Sequence, residues 1–143
     1  MAVRVRVKIR ATDTEKEILS TALLNSGFET DSPQVILPVA AAEMLGLYPF
    51  PQSVRIIELG TAGGPARMYL LPKAIEISIV TEDRKCKAIK CDAIVSPIEE
   101  EILINDKLMD CFNIVILKAG VGVWKFADDP PDKERKSVQP EYW

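Results

Sequence analysis

The chain has 143 residues and a mass of 15.9 kDa, the size of one ordinary domain, with a net charge of −3 and a pI near 5.1. Hydrophobic residues make up 48% and charged residues 27%, a globular balance that excludes a disordered chain. There is no histidine, which removes Ser–His–Asp and Cys–His catalysis and every His-based metal site, and leaves carboxylates, thiols, lysines and hydroxyls for any chemistry.

In chain order, Val3, Val5, Val7 and Ile9 alternate with Arg4, Arg6 and Lys8, which predicts a half-buried strand with a basic, solvated face. A polar turn at Thr12–Lys16 leads to a second strand at Ile18–Leu24, its hairpin partner. Asn25-Ser26-Gly27 makes a sharp turn, and Val35-Ile36-Leu37 is a short buried strand. Pro38 suits a helix start, Val39–Leu45 is rich in helix formers and Gly46 is a natural C-terminal cap. Val54–Leu59 and residues 66–71 read as strands joined by Gly60-Thr61-Ala62-Gly63-Gly64, a glycine-rich hairpin tip able to move. That segment precedes no helix and lacks the Gly-Lys-Ser/Thr ending of a phosphate loop.

Ile75, Ile77 and Ile79 alternate as another strand, Glu82–Lys85 is a charged turn and Lys87–Val95 is again strand. The acidic triplet Glu99-Glu100-Glu101 is expected at a helix N-terminus, where it favours the dipole. Ile102-Leu103-Ile104 is followed by a short helix within Asn105–Asp110, then by strands at Ile114–Leu117 and Val121–Phe126. The domain is therefore expected over residues 1–127, with 128–143 as a polar, flexible C-terminal tail whose terminal Tyr142 and Trp143, odd for a free tail, could dock on the body or on a neighbouring subunit. The sum is a mainly β domain of about eight short strands and two short helices, which tends to close into a barrel or sandwich to protect its edges.

The absence of a membrane-length apolar run or a signal-like start, together with three cysteines (Cys86, Cys91, Cys111) that form no disulfide framework, leads to the expectation of a cytoplasmic protein. Three thiols fall short of the ligands of a structural zinc site, so no metal or other cofactor is expected. The acidic pI gives no reason to expect a nucleic-acid partner, and no membrane partner is expected.

One constellation carries a function. An apolar strand ends in Asn25-Ser26-Gly27-Phe28-Glu29-Thr30. A Pro-x-x-x-Ala-x-x-Leu-Gly-Leu helix follows at Pro38–Leu47, then the glycine-tipped hairpin, then Ile102-Leu103-Ile104-Asn105-Asp106-Lys107-Leu108. From about residue 3 to residue 126 this order resembles the retropepsin-like aspartic proteases, including their archaeal and bacterial members. The family pattern has Asp-Ser/Thr-Gly-Ala after an apolar pair, a helix ending Leu-Gly-Leu, a glycine-rich flap and a late Leu-Ile-Gly-x-Asp-x-Leu element. The resemblance implies a closed acid-protease-like β-barrel with one lobe per chain. It implies a homodimer that completes the site, because the chain has a single such triplet.

Two positions depart from the pattern: the catalytic Asp is Asn25, and the late glycine is Asn105. In the family, two carboxylates about 3 Å apart share one proton; the charged one activates water and the protonated one donates to the oxyanion. An Asn amide has the shape of Asp but no basic oxygen. The resemblance further implies that Asn25 faces its copy on the dimer axis, that Ser26 bonds across the interface, and that Gly27 permits the tight turn. Phe28 and Glu29 would line the cleft, with Thr61, Ala62, Gly63 and Gly64 closing over an extended peptide or protein substrate as a flap. Of the other carboxylates, Asp92 reads first as surface charge or a loop cap, Glu29 and Asp31 lie just after the turn where they could also meet substrate main chain, and Asp106 could pair with a basic group near the Asn25 loop. Three readings stay open: an aspartic endopeptidase inactivated by Asp→Asn; a natural pseudo-protease that binds extended peptides or serves as an assembly module; and a structural or regulatory barrel.

Overall fold

The computed structural model describes residues 2–143. Arg4–Ala11 (β1) and Glu17–Leu24 (β2) form the expected hairpin, with Val7 opposite Ser20 and Ile9 opposite Ile18. Gln34–Pro38 (β3) runs into the helix Val39–Met44 (α1), which stops at Leu45 and Gly46, the latter at φ +74° as a helix-ending glycine requires. Arg55–Thr61 (β4) pairs with the long strand Gly64–Ile79 (β5). Ile89–Ser96 (β6), Ile102–Ile104 (β7) and the helix Asp106–Cys111 (α2) follow, then Ile114–Lys118 (β8), Val123–Phe126 (β9) and Arg135–Lys136 (β10).

The strand order β1-β2-β7-β3-β6-β5, with β5 pairing back on β1, closes a six-stranded barrel. The protein is thus mainly β, a closed barrel with two short helices. β4 lies outside the closure as an edge strand on β5, and β8, β9 and β10 form a separate small sheet.

Period-two alternation sorts the side chains. Val5, Val7, Ile9, Val35, Leu37, Ile77, Ile102 and Ile104 point into one large core. Full burial of each such side chain contributes about 1.5–3 kcal/mol. The intervening residues Ile36, Ile94 and Leu103 form a second cluster with Phe28 and Met68 on the outer face of the barrel, beneath the β4–β5 hairpin. β3 is buried along its whole length because it serves both clusters. The basic face of β1 is matched by acids: Arg6 with Glu141, Lys8 with Glu17 and Arg10 with Glu15.

Three expectations are corrected. Residues 66–71 and 75–79 belong to one strand, broken in register between Leu71 and Ile75, where Lys73 takes φ +48° and donates its N–H to Asp92 Oδ1 at 2.8 Å. The acidic triplet lies away from the helix N-terminus. Glu101 is buried and accepts from Arg4 at 2.5 and 3.2 Å, and Asp106 is the acid in the first turn of α2.

The segment from 128 onward, expected as a flexible tail, lies against the barrel. Val138 N–H donates to Arg4 O, Glu141 N–H to Thr21 Oγ1, and the Trp143 indole to Ser20 Oγ. Arg135 forks between Asp83 and Asp129 at 2.8–3.0 Å and stacks near Trp124 and Phe126. Its hydrogen bonds pull the Asp129 carboxyl down to about 2 and hold Asp83 well below the usual carboxylate range.

Candidate functional site

β2 and β7 run parallel, with Leu24 opposite Ile104, so Asn25 and Asn105 emerge side by side at the same barrel end. Asn25 N–H donates to Ile104 O at 3.0 Å, which ties the turn to the neighbouring strand. Its Oδ1 accepts from Gly27 N–H at 3.1 Å, and its carbonyl accepts from Phe28 N–H at 3.0 Å, which folds residues 25–28 into a tight turn. A Cβ at Gly27 would stand 3.3 Å from Asn25 Oδ1, so glycine leaves that side chain its place. Phe28 O then accepts from Asp106 N–H, fixing the turn to the start of α2.

Asn105 is fully buried and wholly occupied. Its Oδ1 accepts from Leu108 N–H, capping α2, and from Gln34 N–H, both at 3.0 Å. Its Nδ2 donates to Thr30 Oγ1 at 2.7 Å and Ser32 O at 2.9 Å. The side chain therefore straps the 30–34 segment to the helix and so holds the exit of the Asn25 turn.

At the hairpin tip, Thr61 Oγ1 accepts from Gly63 N–H at 3.2 Å and donates to Gly64 O at 2.5 Å, and Gly64 sits at φ +107°, where a side chain is strained. The tip overhangs the turn. One cavity of about 440 Å³ is lined by Asn25, Gly27, Phe28, Glu29, Ile36, Leu59, Gly60, Thr61, Ala62, Met68, Glu99 and Leu103. Six of the nine residues singled out from sequence (Asn25, Gly27, Phe28, Glu29, Thr61, Ala62) thus meet around one space. Ser26 is exposed beside it with no side-chain partner among the described residues, and Gly63 and Gly64 shape the tip without lining the cavity.

Sequence reasoning missed the floor, made by Ile36, Met68 and Leu103, and the wall residue Glu99. Ile36 and Leu103 are signalled by the unbroken apolar runs at 35–37 and 102–104, whose middle residues must face away from the barrel interior. Nothing local marked Glu99.

No protein-family model matches the chain, and no curated protein matches it.

A larger cleft of about 530 Å³ lies along Ser78–Cys86 and contains none of the predicted residues. The thiols are dispersed by environment: Cys91 is buried, which pushes its thiol up to about 12, while Cys111 is exposed. Among the described residues, no three His, Cys, Asp or Glu side chains converge as a metal site, and no helix is long and apolar enough to cross a membrane.

Chemically, the Asn25 turn offers an amide that can accept and donate hydrogen bonds but cannot take a proton from water. An apolar floor, a polar end and an overhanging hairpin together form one open cleft.

Proposed function

We propose that the protein is a retropepsin-like aspartic endopeptidase that acts as a homodimer, and that Asn25 in the catalytic Asp position makes the chain as it stands a binder of extended peptides without cleavage. The observation that carries this reading is the single cavity shared by the Asn25 turn and the Thr61–Ala62 tip, on a closed barrel. The order of parts supports it as well: turn after the second strand, helix ending Leu45-Gly46-Leu47, hairpin, and late strand running into a helix. The exposed Ser26, without a partner in its own chain, suits a bond across a two-fold axis.

Asn25→Asp supplies the missing carboxylate, and the partner copy supplies the second. Expected at mildly acidic pH is cleavage of casein or a peptide library by Asn25→Asp, at least about 10²-fold above the parent chain, with sedimentation reporting a dimer. No cleavage under any condition, or a strictly monomeric protein, sinks the endopeptidase reading.

The second reading is a natural pseudo-protease, favoured by the part Asn25 already plays in its turn through Gly27 N–H. The codon for residue 25 in the source genome decides between them, since an Asp codon ends the pseudo-protease reading.

A further inference from the structure

The cavity below the hairpin tip joins an apolar floor to charge of one sign. Glu29 stands beside the Asn25 turn, Glu99 comes from the loop between β6 and β7, and no Lys or Arg lines the space. Neither carboxylate has an ion-pair partner among the described residues. Some acids elsewhere do have cationic partners, among them Glu101 with Arg4, Glu17 with Lys8 and Asp129 with Arg135. The negative charge at the cavity is therefore uncompensated within the chain.

Both carboxylates sit on backbone held from two sides. Before Glu29, Phe28 is bonded to Asn25 and Asp106; after it, Thr30 is bonded to Ser32 and Asn105. Glu99 N–H donates to Ser96 Oγ at 3.2 Å, Glu100 O accepts from Trp143 N–H at 2.8 Å, and Glu101 is paired with Arg4. Two acids from distant segments thus line one cavity on anchored backbone, where their charges favour a cation.

We infer that the cleft selects extended peptides bearing a lysine or arginine close to an apolar side chain. The apolar group covers Phe28, Ile36, Met68 and Leu103, and the cation lies between Glu29 and Glu99. This inference rests on reading the cavity as a peptide cleft, and it adds the substrate class.

The test uses the full chain with Asn25, so that cleavage does not interfere. Fluorescence anisotropy compares labelled apolar peptides that differ only by Lys, Gln or Glu at one scanned position. Expected is binding of the Lys peptide about tenfold tighter than Gln at the best position, the order of one partly enclosed ion pair, with Glu weakest. The preference shrinks as salt is raised. The Glu29→Gln/Glu99→Gln variant, with an unchanged circular dichroism spectrum, binds Lys and Gln peptides alike. Equal binding of Lys and Gln peptides by the parent chain, or a preference that survives in the double variant, overturns the inference while leaving the cleft. Failure of every peptide to bind overturns the cleft reading and the inference together.

Discussion

Asn25 and Asn105 leave neighbouring parallel strands at matched positions, yet their surroundings differ completely. Asn105 is buried and spends every polar atom on its own chain, accepting from two backbone N–H groups and donating to a hydroxyl and a carbonyl. Asn25 is half-buried, makes one internal bond through Oδ1 and presents the rest of its amide to a cavity. One residue type therefore serves as a structural strap at one strand end and stands as a largely unclaimed amide at the cavity at the other. What separates them is how many bonds the fold has already claimed.

That contrast can be broken experimentally. The largest effect is expected in activity: Asn25→Asp raises peptide hydrolysis by about 10²–10⁴-fold, read by single-turnover cleavage, whereas Asn105→Asp yields no hydrolysis. In stability the ranking reverses. Asn105→Ala strands two buried N–H groups, those of Gln34 and Leu108, and is expected to cost about 3 kcal/mol, measured as a shift in the urea midpoint.

Away from the pair, Asp129→Asn weakens the Arg135 clamp by about 2 kcal/mol. Because the folded-state pKa of Asp129 is depressed to about 2, its stabilisation is present above the unfolded carboxylate range and is lost as pH falls from about 4 toward about 2. Asp83 titrates with the same sign. Urea unfolding across that window should show a steeper acid loss in the parent chain than in Asp129→Asn. The smallest effect belongs to Asn25→Ala, within about 1 kcal/mol, since it removes one partly exposed bond. A larger cost there would mean that Asn25 is structural after all.

The strand pattern was legible because burial on one face leaves a period of two, as in β1, and α1 was legible from Pro38 and Gly46. The turn and the hairpin tip were legible as glycine-bearing breaks between apolar runs. Asn105 was read only as a departure from glycine, because its partners at Thr30, Ser32 and Gln34 lie more than 70 residues away in sequence. The docking of residues 128–143 was hidden for a similar reason. Composition alone gives a solvated segment, whereas Arg135 is held by Asp83 from a distant loop and Trp143 by Ser20. The break in β5 was read as two strands because an irregular register at Lys73 looks like a loop until Asp92 is seen to satisfy its N–H.

The continuity of β5 has a mechanical consequence. Its first half carries the hairpin tip and its second half closes the barrel against β1, so overhang and stave are one piece of chain. Two extended arms, Gly64–Leu71 and Ile75–Ile79, meet at the irregularity, so one continuous chain runs from the tip to the barrel wall. The joint is the Lys73 irregularity, clipped by Asp92, a carboxylate that also takes hydrogen bonds from Ser32 and Gln34 on the strap beneath the Asn25 turn. One carboxylate thereby ties the arm that carries the tip to the segment that holds the turn beneath it.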